Sequence, residues 1–242
     1  MARLPLVLVL LLALATGAGP AVTQAAQAAH LAHLAHLAQP AQPADPAATR
    51  AGDQESLRLR AAVRALPVAR ETPRGYDRDR FEHWVDADHD CQDTREEVLV
   101  AESRVPVDGC TITTGEWHSW YDGATWTDPS DVDIDHLVPL KEAWDSGARG
   151  WDDSARERFA NDLDDPRTLV AVTDNVNQSK GDRDVAEWLP DHHECRYVRQ
   201  WVAVKLRFGL AADRTEHSAL VRGARDCPNR VVDFVRVPPP GT

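Results

Sequence analysis

Asp131-Val132-Asp133-Ile134-Asp135-His136-Leu137-Val138-Pro139-Leu140 is the stretch on which the rest of the chain turns. Acidic and apolar residues alternate up to Asp135, which is the period of a strand with two unlike faces. The run ends in an Asp-His pair, followed by an apolar segment that a proline closes. Further along comes a second polar cluster, Asn175-Val176-Asn177-Gln178-Ser179-Lys180-Gly181-Asp182. Just before it, Thr168-Leu169-Val170-Ala171-Val172 reads as a short strand, and Asn175 to Lys180 opens a helix. The order is therefore a strand carrying Asp135 and His136, an excursion, a second strand, then a helix carrying Asn177. We expect the two polar stretches to meet in space.

The excursion contains a helix from Ser154 to Leu163, ended by Asp165-Pro166. Upstream, Leu59, Ala62, Val63 and Leu66 recur with the period of an amphipathic helix, which Pro67 ends or kinks. Asp122-Gly123 between β-prone runs marks a hairpin. Several of the eight tryptophans cluster around it; they fill the core of a small sheet or stack on nucleobases, and the core is the commoner use. Tyr197, Trp201, Val204 and Phe208 mark a helix that Gly209 ends, and Asp213 to Ala224 a further one.

The chain has 242 residues, enough for one domain with flanks. Arg3, the apolar run Leu4 to Ala15 and small residues from Gly17 to Gly19 form the pattern of an export signal, assigned to 1–29. The run is shorter than the roughly 20 residues that span a bilayer. Residues 30–52 are Ala-, Gln- and Pro-rich. His30, His33 and His36 could line one helix face, yet Pro40, Pro43 and Pro46 interrupt any long helix, and a solvated linker is the simpler use. The folded domain is expected over 53–236, with a tail at 237–242. We expect a monomeric extracellular protein that leaves the membrane once the signal is cleaved. Four cysteines in an exported chain form two disulfides. Cys91 and Cys110 flank a segment ending at the hairpin, and Cys195 and Cys227 bracket the C-terminal helices, so these are the expected pairs. The net charge of −12 argues against non-specific clinging to nucleic acid, which needs Lys and Arg on phosphates. It does not exclude chemistry on phosphates, because a bound cation supplies local positive charge.

Asp86, Asp88, Asp90 and Glu97 occupy positions 1, 3, 5 and 12 of a calcium-loop pattern. Position 6 is Cys91 where such loops carry glycine. The alternative is an acidic turn held by a disulfide.

Hydrolysis of a phosphodiester needs a base to make hydroxide and a cation beside the leaving oxygen. Histidine suits the base. A carboxylate and an amide oxygen suit a hard divalent ion. Adjacent strand residues point to opposite faces, so Asp135 can take a metal while His136 reaches a water.

These residues resemble the HNH endonucleases, whose ββα-metal unit has an Asp-His pair, an internal polar residue and a final His or Asn. More narrowly the chain is similar to secreted actinobacterial proteins of the DUF1524 group, related to the C-terminal domain of GmrSD-type restriction enzymes. The matching stretches are Asp93 to Leu99, Tyr121 to Trp126, Asp131 to Leu140, Phe159 to Leu163 and Asn177 to Asp182. The resemblance implies an α+β fold with a ββα-metal (HNH, or His-Me finger) core, additional helices and a small antiparallel hairpin. It implies His136 as general base, Asp135 and Asn177 as metal ligands, and one divalent metal: Mg²⁺ first, with Mn²⁺, Ca²⁺ or Zn²⁺ as alternatives. The substrate it implies is nucleic acid, DNA before RNA. The internal asparagine of the pattern is replaced by Thr168, so Thr168 or Asn161 would brace the loop that holds the base. Lys180, Arg95 and Arg183 are candidates for phosphate contact. From another class comes a non-catalytic extracellular binding protein that keeps the fold and takes calcium in the acidic loop. The chain has no His-Glu-x-x-His, so a zinc protease has no support.

Overall fold

The structure, a computed structural model, describes residues 54–237. The expected signal (1–29) and linker (30–52), Asp53, and the tail apart from Val237 lie outside the described residues.

In chain order the elements are β1 (Gln54–Arg58), α1 (Leu59–Ala65), α2 (Thr94–Glu102), β2 (Trp117–His118), β3 (Thr125–Trp126), β4 (Val132–His136), α3 (Leu140–Asp145), α4 (Asp153–Ala160), β5 (Leu169–Thr173), α5 (Asp174–Lys180), α6 (Glu194–Phe208), α7 (Arg214–Asp226) and β6 (Val231–Val235). Three antiparallel strand pairs form: β1 with β6, β2 with β3, and β4 with β5. This is an α+β arrangement.

The β4–β5 ladder organises the domain. Its register pairs Asp133 with Val172, Asp135 with Val170 and His136 with Leu169. Side chains alternate across a strand, so Val132, Ile134, Leu169 and Ala171 lie together on one face. They pack with Val98 and Leu99 of α2 and with Trp117. Val170 and Val172 on the other face join the main core, which includes Tyr121, Tyr197 and Trp201. Burial on both faces explains why Leu169–Thr173 is an unbroken buried run. The helix α5 follows β5 directly.

Local signals account for the element ends. Asp93 caps α2 by accepting from the backbone N–H groups of Arg95 and Glu96. Asp213 and Glu216 form a capping box on α7. Gly209 ends α6 in the left-handed region at φ 65°. The α4 helix stops at Ala160, short of the expected Leu163, because the Asn161 side chain turns back to accept from the Val85 N–H and donate to the Glu157 carbonyl. The β1–β6 pair had no counterpart in the sequence reading. Trp117, Trp120, Trp144 and Trp201 are core residues.

The disulfides link Cys91 to Cys110 and Cys195 to Cys227, with Cα separations of 5.1 and 5.4 Å. Beneath α6 and α7 the fully buried Lys205 binds Glu142 and Glu216, each at 2.6 Å. Burial alone would lower the Lys205 pKa; the two carboxylates outweigh it and hold the ammonium charged.

Candidate active site

His136 is the last residue of β4, and its imidazole is 6% exposed. Phe159 stacks on one side, with ring centroids 6.4 Å apart and planes at 21°. The Trp84 ring lies at 5.6 Å, tilted by 31°. Trp84 holds φ at 62°, a left-handed backbone that is rare for a bulky residue. The ring atom Nε2 meets the Ala160 carbonyl at 2.8 Å. A carbonyl only accepts, so the proton of the neutral ring is on Nε2 and the lone pair is on Nδ1. Burial drives the His136 pKa down to about 3; the Ala160 carbonyl opposes this, and the positive charges of Arg78 and Lys180 add to it. The ring is therefore neutral near pH 7 with its lone pair on Nδ1, and the same burial makes that nitrogen a weak base while no substrate is bound.

The turn that carries Ala160 is held from both sides. The Asn161 carbonyl oxygen accepts from the Thr94 hydroxyl at 2.9 Å, and its amide donates to the Glu82 carbonyl at 2.8 Å. The next residue, Asp162, accepts from the Thr168 hydroxyl at 2.7 Å and from Arg207 Nε at 2.8 Å. Thr168 also accepts the Leu137 N–H through its own carbonyl. Both residues named for the bracing task thus act on one turn, one residue and two residues past Ala160.

Asp135 points to the opposite face. Its carboxylate accepts from Lys180 Nζ at 2.7 Å and from the Tyr121 hydroxyl at 2.6 Å. Burial pushes the Asp135 pKa up, and Lys180 and Tyr121 oppose it. Burial likewise lowers Lys180, and Asp135 opposes that. Lys180 is 0% exposed and also donates to the His136 carbonyl at 3.0 Å. In this arrangement its ammonium serves the end of β4, so a phosphate has no open path to it. Asn177 makes no hydrogen bond to Asp135; its amide donates to Asp133 Oδ2 at 3.2 Å. Asp133 and Asp135 share a face two residues apart, and Asn177 Oδ1 makes no hydrogen bond among the described residues. Both Asp135 oxygens are engaged, Oδ1 by Lys180 and Oδ2 by Tyr121, so the oxygens on this face without a hydrogen bond among the described residues are Asp133 Oδ1 and Asn177 Oδ1. Carboxylate and amide oxygens are the donor type that a hard divalent cation takes. Arg95 donates to the carbonyls of Pro129 and Val132, both at 3.0 Å, and so anchors the entry to β4. Arg183 bonds back to the Lys180 carbonyl.

Sequence reasoning did not single out Asp133, Tyr121, Trp84 or the Ala160 carbonyl. Strand alternation points to Asp133, which lies on the Asp135 face. Nothing local marks the other three.

In the acidic loop, Asp86, Asp88 and Asp90 each bring a carboxylate oxygen within 4.8 Å of the others. Cys91 at position 6 holds φ at 82°, the conformation that glycine supplies in such loops, and its N–H bonds to Asp86 Oδ2 at 3.2 Å.

A family model, the C-terminal domain of GmrSD restriction endonucleases, matches residues 92–222, more than half of the chain. The chain belongs to this family. The match spans β4, β5, α5 and both residues bracing the Ala160 turn. An "uncharacterized secreted protein" of Arthroderma benhamiae is 50% identical over 157 residues, which cover 63% of this chain and 76% of the relative. That relative is fungal, so it does not support the actinobacterial source implied by the sequence resemblance. No solved structure matches the chain.

Proposed function

We propose that this member of the GmrSD C-terminal domain family is a secreted, metal-dependent endonuclease of the HNH type that hydrolyses phosphodiester bonds, with DNA as its first substrate. The observation that carries the proposal is the Nε2–Ala160 hydrogen bond on a buried, neutral His136, which leaves Nδ1 as the basic atom. The strand–strand–helix order around Asp135 and Asn177 supports the HNH assignment. Two disulfides and a relative described as secreted support the extracellular location.

In the proposed reaction His136 Nδ1 takes a proton from water. The resulting hydroxide attacks phosphorus, and the bond to the leaving oxygen breaks on the opposite side. Negative charge on the arriving phosphate favours the imidazolium, so the base strengthens when substrate is present. A divalent cation on oxygens of Asp135 and Asn177, with Asp133 beside them, supplies positive charge for the phosphate and the departing oxygen when bound. Lys180 and Tyr121 orient Asp135, and Arg95 holds the strand that presents it.

The test is incubation of the purified protein with plasmid and Mg²⁺, with and without EDTA, and in parallel with RNA. Metal-dependent nicking that EDTA stops is expected. A clean preparation that leaves both substrates intact across Mg²⁺, Mn²⁺, Ca²⁺ and Zn²⁺ sinks the proposal and returns the protein to the non-catalytic binding class.

A further inference from the structure

Away from the β4–β5 ladder, carboxylates from four separated segments converge. Glu71 lies on the stretch after α1, Asp145 ends α3, Asp184 follows α5, and Asp213 caps α7. Glu71, Asp184 and Asp213 each offer an oxygen within 4.8 Å of the other two. Glu71, Asp145 and Asp213 line a cavity of about 150 Å³.

Clustered carboxylates alone are common, and the informative residue is Asp145. Its side chain is 7% exposed. Oδ2 is bound by Lys141, whereas Oδ1 is buried and meets no hydrogen-bond donor among the described residues. A buried carboxylate oxygen left without donor or cation is costly. The other oxygens are also open. Asp184 uses Oδ1 for the N–H groups of Ala186 and Glu187, and Asp213 uses Oδ1 for that of Glu216. The second oxygen of each, and both of Glu71, carry no hydrogen bond among the described residues. Of the lysines near the cluster, Lys141 binds Asp145 and Lys205 binds Glu142 and Glu216. Arg70 and Arg149 line the cavity, and neither forms an ion pair with these carboxylates among the described residues.

We propose that Glu71, Asp184 and Asp213 ligate a calcium ion, and that Asp145 Oδ1 accepts from a water the ion carries. Asp145 falls outside the set within 4.8 Å, which is why it is given the water-mediated place. Calcium fits better than magnesium. It takes several carboxylates in loose geometry, whereas Mg²⁺ demands a tight octahedron and keeps most of its waters. The cage also has the form of a cross-link, joining four segments remote in sequence.

The test uses protein stripped with chelator, titrated calorimetrically with CaCl₂ or MgCl₂ and melted with and without each salt. No nucleic acid is involved, so the outcome is independent of the nuclease proposal. Calcium should raise the Tm, because a ligand of the native state alone stabilises it. E71Q should weaken calcium binding by about 10–100-fold or more, since even supporting groups of a metal site are worth that much. D145N should weaken calcium binding as well, and D88N, in the acidic loop, should leave it unchanged. Absence of any calcium effect in the unmodified protein overturns the site. So does wild-type affinity in both E71Q and D145N, or loss of binding in D88N with retention in E71Q, which moves the ion to the acidic loop.

Discussion

At the scale of the residue, His136 shows how a protein sets both tautomer and charge with few groups. The Ala160 carbonyl assigns the proton to Nε2, and burial keeps the ring neutral. Replacement by alanine would open a void between Trp84 and Phe159, so His136→Gln is the cleaner probe. We expect His136→Gln to lower plasmid cleavage by about 10²–10⁴-fold, the usual worth of a positioned base, with an unchanged circular dichroism spectrum. Near-normal turnover in a clean preparation would remove His136 from the chemistry. The same depressed pKa predicts a pH profile. Falling pH normally disables a histidine base near its ordinary value of about 6.5. Here the ring stays neutral down to about pH 3, so the acid limb of kcat/KM should lie clearly below pH 6.5. An acid limb centred near 6.5 would mean that the base is an ordinary, solvated histidine.

The turn after α4 carries the argument at the scale of the element. Ala160 contributes only a backbone oxygen, and that oxygen is placed by the two side chains that follow it. Asn161 ties the turn to residues 82–85 and to α2 through three hydrogen bonds, with Glu82, Val85 and Thr94, and back to α4 through a fourth, with Glu157. Asn161→Ala should cost about 1–3 kcal/mol or more, because it leaves buried partners unsatisfied. It should also lower kcat while leaving metal affinity alone, since no oxygen donor of the Asp135 face moves with it. Nitrogen chemical shifts of His136 supply the check: loss of the single Nε2–H tautomer is expected. Unchanged shifts together with wild-type kcat would show that the turn is only structural. Lys180 is an element-scale feature too. It was singled out as a phosphate contact, but at the buried end of α5 it clamps Asp135 and the last carbonyl of β4.

At the scale of the whole described domain, the two ends of the described residues are fastened to each other. β1 pairs with β6 across almost the full described length, and Cys195–Cys227 pins α6 to the end of α7. Cys91–Cys110 closes the acidic loop against the segment leading to β2. In the chain-entropy model each bridge is worth about 3–4 kcal/mol. Neither cysteine pair hydrogen-bonds Asp135, His136 or Asn177. Reduction should therefore lower the Tm substantially while metal affinity measured well below the new Tm stays the same. Loss of metal binding at a temperature where the reduced protein is still folded would show that the bridges hold the site itself.

Patterns carried by neighbouring residues were open to reading in the sequence. The alternation of Asp131 to Asp135, the β-branched run ending at Val172 and the polar opening of α5 established the strand–strand–helix order. The period of Leu59 to Leu66 established α1, and the positions of the cysteines relative to expected elements pointed to the two bridges. Contacts between segments far apart were decided only by tertiary structure. The β1–β6 pair is one, because five residues with modest alternation do not declare a partner at the other end of the domain. Others are the Lys180 and Tyr121 bonds to Asp135, the Asn177 bond to Asp133 and the convergence of Glu71, Asp145, Asp184 and Asp213. The Ala160 carbonyl belongs with them for a simpler reason. Every residue has a carbonyl, and only packing determines which one a histidine meets.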